Sequence, residues 1–205
     1  AEACAPLKAL AKTLPLSPEQ AEVLKALRQA ISTWPGELAA VRSSAPEEDG
    51  ENASFAGIFE TKLGVVTDTL EAAIRECFAS VFDQRVFGYA RVRKPAFAAV
   101  VMEMVDSFKA GVAFSANPLN SDLDELLVDS SWGLGESVVD GSIVADRFLW
   151  DKLGNVALET RIGSKERERR LKRGGGVDVL DVSEERRTRA TLSPQELEDL
   201  AKLVS

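Results

Sequence analysis

The chain has 205 residues, enough for one large domain or two small lobes, and its 45% hydrophobic and 28% charged residues are ordinary for a globular protein. A net charge of −8 argues against a nucleic-acid binder, and no apolar run approaches the ~20 residues of a membrane span. The absence of histidine excludes a histidine base, histidine metal ligand or phosphohistidine on these residues. The two isolated cysteines, Cys4 and Cys77, give neither a disulfide framework nor a zinc pattern.

In chain order, the spacing predicts a short helix over residues 5–14. A second helix starts at Ser17-Pro18-Glu19-Gln20, with Ser17 as N-cap, Pro18 in the first turn and Gln20 completing a capping box. Leu24, Leu27 and Ile31 form its apolar stripe, and Pro35-Gly36 ends it. Leu38 to Val41 predicts a strand that delivers Arg42, Ser43 and Ser44 into an acidic loop, Pro46 to Asn52. Ala53-Ser54-Phe55-Ala56-Gly57 follows, small residues around one aromatic. Small residues let main-chain N–H groups approach an anion, and an arginine at the loop mouth adds a charged fork for phosphate oxygens. The competing reading pairs Arg42 with Glu47, Glu48 and Asp49 beside an ordinary surface loop.

Lys62 to Val66 reads as a strand. Thr67 is expected to cap a long helix with Leu70, Ile74, Cys77, Phe78 and Val81 on one face, Cys77 being a small buried hydrophobe. Asp83 caps a further helix carrying Val86, Tyr89, Ala90 and Arg93, stopped by Pro95. Ala98 to Val105 is expected as a buried strand, Asp106 to Ala110 as a connection, and Gly111 to Ala116 as its antiparallel neighbour. Asn117 to Asn120 is a turn, in which Asn117 and the preceding Ser115 are structural. Glu125 to Ser130 is a strand, Trp132 to Gly135 a glycine-punctuated turn, and Glu136 to Val139 a short helix. Arg147 to Asp151 and Val156 to Arg161 make a hairpin. Lys165 to Arg173, KERERRLKR, followed by three glycines, reads as a mobile, loop-like excursion, with a solvated charge run as the first reading and a phosphate-binding basic patch as the alternative. Val177 to Val182 is a strand. Ser193-Pro194-Gln195-Glu196 is another capping box, opening a helix with Leu197, Leu200, Ala201 and Val204. Helices mixed with adjacent antiparallel strands give an α+β fold class.

Several blocks then carry a resemblance. VRSSA, the acidic loop, ASFAG and Glu60-Thr61 are followed in order by VVMEMV (Val100 to Val105), GVAFSANP (Gly111 to Pro118), WGLGESVVDG (Trp132 to Gly141), Asp146-Arg147-Phe148 and GSKE (Gly163 to Glu166). Together they resemble the nucleotide-binding domain of the phosphoenolpyruvate synthase and pyruvate phosphate dikinase family, which rifampin phosphotransferase shares. The likeness runs from Leu38 to Leu203. It implies an ATP-grasp fold, here partial, with ATP held between two α+β lobes. Residues 1–37 would be an N-terminal helical segment and 38–205 the nucleotide-binding region.

The resemblance also implies roles. Arg42 is the catalytic, phosphate-binding candidate. Ser54, Phe55, Ala56 and Gly57 would close over the β- and γ-phosphates, and Glu60 would orient that loop or bind metal-bound water. Glu103, Met104 and Val105 would receive adenine, with Met104 packed on the base and Glu103 where the family usually has Gln. Glu136 matches the acidic residue near the phosphates. Ile58 and Phe59 depart from the polar residues that the family places after the loop glycine. ATP and Mg²⁺ are the implied cofactors, with the metal ligands unassigned. The implied partners are phosphohistidine and acceptor domains of the same enzyme; no nucleic acid or membrane is expected. Pyruvate, a glucan and a rifamycin stay open as acceptors.

The family's glycine–lysine segment and its metal-ligand strands do not occur in these 205 residues, so the isolated chain is expected to lack turnover. The alternative is a non-catalytic nucleotide-binding or interaction module. The amino terminus lacks a secretory pattern, so a reducing, soluble compartment, cytoplasmic or organellar and not secreted, is expected.

Overall fold

The computed structural model describes residues 4–44, 49–50, 53–54, 60–83 and 97–204, the side chains of 49–50 and 53–54 excepted. The chain divides into two compact units, Ala1–Val105 with Lys172–Val177, and Asp106–Leu171 with Asp178–Ser205. Among the described residues no helix is long and apolar enough to cross a membrane.

The first unit opens with α1 (Cys4–Thr13) and α2 (Pro18–Ile31). The expected capping box is present in both halves. The Gln20 N–H donates to Ser17 Oγ at 3.2 Å, and the Ser17 N–H donates to Gln20 Oε1 at 2.9 Å. These bonds satisfy donors that a helix start otherwise leaves open. A three-stranded antiparallel sheet follows, in the order β4 (Lys62–Val65), β1 (Ala39–Ser44), β5 (Ala98–Glu103). α3 (Leu70–Ser80) and α2 cover one face of it. Leu24 and Ile31 from α2, Leu70, Ala73 and Cys77 from α3, and Ala39, Val41 and Val65 from the sheet form the core, with Ala99 and Val101 packed against it. Each full-sized side chain so buried is worth roughly 1.5–3 kcal/mol.

Several expectations change here. β1 runs on through Arg42 to Ser44, so the arginine stands on a strand rather than at a loop mouth. β2 (Asp49–Gly50), within the acidic loop, pairs antiparallel with β3 (Ala53–Ser54) in the small-residue segment that follows it. Thr69, not Thr67, stands at the cap of α3, and Phe78 lies off the buried stripe, edge-on to Phe97. Cys77 is buried as expected, and burial, helped by the nearby Glu60 charge, pushes its thiol up to about 11. Among the described residues β5 is an edge strand, and its Val100 and Met102 are exposed rather than buried. It pairs with β1, and the next strand belongs to the other unit. The helix expected beyond Asp83 lies outside the described residues.

The second unit is built on a four-stranded antiparallel sheet, β6 (Lys109–Phe114), β7 (Glu125–Trp132), β8 (Asp146–Asp151) and β9 (Val156–Arg161), in sequence order. Two short helices, α4 (Glu136–Val139) and α5 (Glu184–Arg187), punctuate its connections. α6 (Pro194–Val204) closes one face. Leu197 and Ala201 pack there on Leu126, Val128, Phe148 and Trp150. Period-two alternation is plain in β8, where Asp146, Phe148 and Trp150 are buried and the residues between them are half-buried. The Ser193 capping box forms as expected, the Ser193 N–H donating to Glu196 Oε2 at 2.9 Å and the Glu196 N–H to Ser193 Oγ at 3.3 Å.

The charge run overturns its sequence reading. Arg167–Leu171 is a strand, β10, paired with β11 (Val177–Asp181). Hydrogen bonds from Val182 N–H to the Glu166 carbonyl and from Lys172 N–H to the Gly176 carbonyl close the two ends of the pair, which is therefore antiparallel. Lys165 is not solvated. It is fully buried, and its ammonium pairs with the fully buried Asp146 carboxylate. A cation cannot be placed there without such a partner, and the charge run supplies it to the core rather than to solvent.

Candidate functional site

The register of β1 against β5 sets Arg42 opposite Val100, Ala40 opposite Met102 and Ala39 opposite Glu103. Strand alternation then separates two faces. Ala39, Val41, Ala99 and Val101 point to the helices. Arg42, Ala40, Val100 and Met102 share the other face, which none of the described helices of the first unit covers, although Ala40 itself is buried. Val100 and Met102 are 41% and 43% exposed, high for apolar side chains in a sheet. Arg42 is exposed and forms no ion pair with any described residue. The result is a short apolar shelf with a guanidinium at one end. Its two rows are separated by two strand residues, roughly 6.6 Å.

The remaining expected residues are placed as follows. Glu103 ends β5 on the opposite parity from Arg42, and is exposed. Met104 begins the connection, half-buried, with its N–H donating to the Leu38 carbonyl at 3.0 Å. Val105 is 71% exposed. Met102 was not singled out from sequence. Met102 and Met104 share a parity, and only the register shows that Met102 stands in the sheet beside Ala40. Ser54 sits on β3, across from Asp49. Phe55, Ala56 and Gly57 lie outside the described residues, as do the side chains of Glu47, Glu48 and Asp49.

Glu60 is held rather than free. The Lys62 ammonium donates to it at 2.6 Å and reaches Glu76 of α3 at 2.6 Å. The Cys77 thiol donates to the Glu60 carbonyl at 3.2 Å. Partial burial alone would lower the Lys62 pKa, but the two carboxylates outweigh it and raise it. This arrangement anchors the chain where it leaves residues 55–59.

In the second unit Glu136 opens α4 and pairs with Arg169, whose other nitrogen donates to Asp140 at 3.0 Å. The main chain reinforces this link. The Leu134 N–H donates to the Arg169 carbonyl at 2.9 Å. Gly133 has φ +78°, and a Cβ there would lie 2.3 Å from that carbonyl oxygen, so the position admits only glycine. A second cluster that sequence did not reveal surrounds Glu168. Arg186 grips it with bonds of 2.7 and 3.0 Å, Arg170 adds a contact at 3.1 Å, and both guanidiniums lie 5.0 Å from the Phe108 ring centroid. Burial works to raise the Glu168 pKa, and the two arginines outweigh it. Among the described residues no three acidic or thiol side chains gather into a metal-ligating group.

An apolar shelf ending in a guanidinium that has no ion-pair partner among the described residues suits a planar base joined to an anionic tail. Comparison with known proteins identifies the family. Residues 2–205 match the family described as pyruvate phosphate dikinase, AMP/ATP-binding domain. The chain is 39% identical over 171 residues to a prodigiosin synthesizing transferase of Serratia marcescens, covering 82% of this chain and 19% of that protein. It is 36% identical over 170 residues to a probable phosphoenolpyruvate synthase of Methanocaldococcus jannaschii (80% and 14%). It is 34% identical over 190 residues to the phosphoenolpyruvate synthase of Pyrococcus furiosus (87% and 23%). It thus spans about a fifth of the length of these curated relatives. The chain belongs to the pyruvate phosphate dikinase AMP/ATP-binding domain family.

Proposed function

We propose that the chain binds ATP on the open face of β1 and β5, as the nucleotide-binding part of a dikinase-type phosphotransferase of ATP-grasp architecture. The observation that carries this is Arg42, exposed, without a described partner, and directly opposite Val100 beside the Met102 shelf. The base packs on Val100 and Met102, whose side chains offer dispersion and no hydrogen bonds. Base edges are read by the main chain of Glu103 to Val105. Arg42 holds phosphate oxygens as a bidentate fork, a task for which lysine is a poor substitute. The segment from Ser54 to Gly57 follows β1 and closes on the phosphates, with Glu60 and Lys62 fixing its exit.

Magnesium, when bound, neutralises phosphate oxygens. Within the first unit Glu60, already oriented by Lys62, is the acidic candidate that would hold one of its waters. In this scheme the chain's contribution is positioning and charge stabilisation. The phosphoryl group passes to a histidine on another domain of the enzyme, since this chain has none, and from there to an acceptor.

Equilibrium ATP binding by Arg42→Ala tests the reading. A charge-assisted contact of this kind is worth roughly 1.5–3 kcal/mol, so affinity falls about 10- to 150-fold, with partial rescue in Arg42→Lys. Unchanged ATP affinity alongside a lowered denaturation midpoint would make Arg42 structural and remove the assignment of this face.

A further inference from the structure

The open face has a second boundary, on the β4 side. β1 and β4 pair through Ala39 with Val65 and Val41 with Lys62, so a bulge in β4 sets Leu63 and Gly64 together across from Ala40. Val65 and Lys62 are directed toward the helices, Val65 in the core and Lys62 on Glu76 of α3. Gly64 therefore belongs to the Ala40 side, the side of Arg42 and Met102.

Main chain from the turn between β10 and β11 rests on Gly64, within the first unit. The Gly176 N–H donates to the Gly64 carbonyl at 2.7 Å. A Cβ on Gly64 would meet Gly176 main-chain atoms at 2.6–3.0 Å, and one on Gly175 would meet the Gly64 carbonyl and a Val66 methyl at 3.0 Å. Gly64, Gly174, Gly175 and Gly176 all have positive φ, from +65° to +105°. Backbone is thus packed on backbone at positions where side chains are excluded by space, by conformation or by both. The turn is also closed on itself, by Lys172 N–H to the Gly176 carbonyl at 3.0 Å and Gly175 N–H to the Lys172 carbonyl at 3.2 Å. Its position on the face is fixed before any ligand arrives.

At the apex stands Arg173, exposed and making no hydrogen bond or ion pair with a described residue. Gly64 and Arg42 lie on neighbouring strands about two residues apart, which places their backbones roughly 8 Å from each other. That gap matches the span of a polyphosphate, and an arginine side chain at the turn apex can reach across part of it.

We propose that the Lys172–Gly176 turn is a preset strap along the nucleotide face and that its Arg173 is a second polyphosphate-binding cation beside Arg42. This rests on the reading of that face as the ATP site. It explains why three glycines follow a basic pair in a chain of net charge −8. The glycines let the turn seat on β4, and the seating presents the charge.

Equilibrium binding of ATP and of adenosine to the full protein tests this, with melting temperature as the control for folding. Arg173→Ala, at an exposed turn, is expected to weaken ATP by about three- to tenfold while leaving adenosine within about twofold. Arg173→Lys restores part of the loss. Gly64→Ala, which unseats the turn, gives the same ATP-selective loss. Parent-like ATP affinity in Arg173→Ala, with Arg42→Ala impaired, overturns the strap and leaves the face standing. Equal weakening of ATP and adenosine by Arg173→Ala overturns the polyphosphate role. No effect from either Arg42→Ala or Arg173→Ala overturns the face, and the strap with it.

Discussion

Replacing Lys165 by methionine strands the Asp146 carboxylate inside the second unit. Both side chains are fully buried. Asp146 retains three other donors, the Gly163 N–H at 2.8 Å, the Thr191 N–H at 2.7 Å and the Thr191 hydroxyl at 2.9 Å. Lys165 has one acceptor besides Asp146, the Gly163 carbonyl at 3.0 Å. Removing one member of a buried pair costs roughly 3–5 kcal/mol, because the charge left behind is uncompensated. The two halves are not equal. The carboxylate left by Lys165→Met keeps three hydrogen bonds, so about 3 kcal/mol is expected. The ammonium left by Asp146→Asn keeps one reliable acceptor, so the loss should approach about 5 kcal/mol. For 150–250 residues each kcal/mol shifts the midpoint by about 2–4 °C, so the singles should melt roughly 6–20 °C low. In the double variant the amide oxygen introduced by Asp146→Asn still accepts from Thr191, and no charge is buried. That protein should therefore be more stable than the sum of the singles by at least about 2 kcal/mol. Urea denaturation of the four proteins, followed by tryptophan fluorescence, measures this cycle. Trp132 and Trp150 both lie in the second unit and report its transition. Single variants within about 1 kcal/mol of the parent, or additive losses, would refute the buried-pair reasoning and return Lys165 to solvent.

Gly133→Ala should cost more than about 2 kcal/mol, since it combines a left-handed conformation with a Cβ 2.3 Å from the Arg169 carbonyl oxygen, whereas Gly141→Ala, with φ +67° and open space around it, should cost only about 1–2 kcal/mol; paired denaturation midpoints decide this. The Lys109 ammonium at 2.5 Å, with the Ser193 amide and hydroxyl, holds Glu196 down to about 2. A carboxylate depressed on folding contributes stability above its unfolded pKa, near 4.5, and loses it as pH falls toward 2. The gap in melting temperature between parent and Lys109→Met should therefore shrink over that range. Glu196 is half exposed, which keeps the effect below about 1 kcal/mol. Met102→Asp places a carboxylate on the base shelf and should weaken adenosine and ATP alike, separating it in a binding assay from the ATP-selective Arg173→Ala. Amide exchange in Arg167–Leu171 should be slow, as expected for a paired strand, and exchange as fast as in a free loop would contradict the β10–β11 pairing.

What the chain reveals without its coordinates is mostly local. The capping boxes at Ser17 and Ser193 close over three residues, so their chemistry is written in adjacent letters. The hairpin through Lys152 to Asn155, the α6 stripe and the α+β class follow from short periodicities in the same way. So does the family, because its blocks keep their order. The candidate phosphate ligand Arg42 was also visible, since an arginine between an apolar run and two hydroxyls is a local pattern. Its neighbours on the shelf were not. A strand's periodicity tells which of its side chains share a face. It does not tell which face meets the core, or which strand lies alongside. Val100 and Met102 join Arg42 only because β5 pairs with β1 in one particular register, and a slip of one residue would have turned Glu103 to that face instead. The charge run from Lys165 failed for the same reason. Its burial depends on Asp146, nineteen residues earlier, and on the strand pairing that brings Thr191 to the same carboxylate. A buried charge is stable only where such distant partners converge, and convergence is a property of the packed chain, set by tertiary contacts that no window of sequence contains.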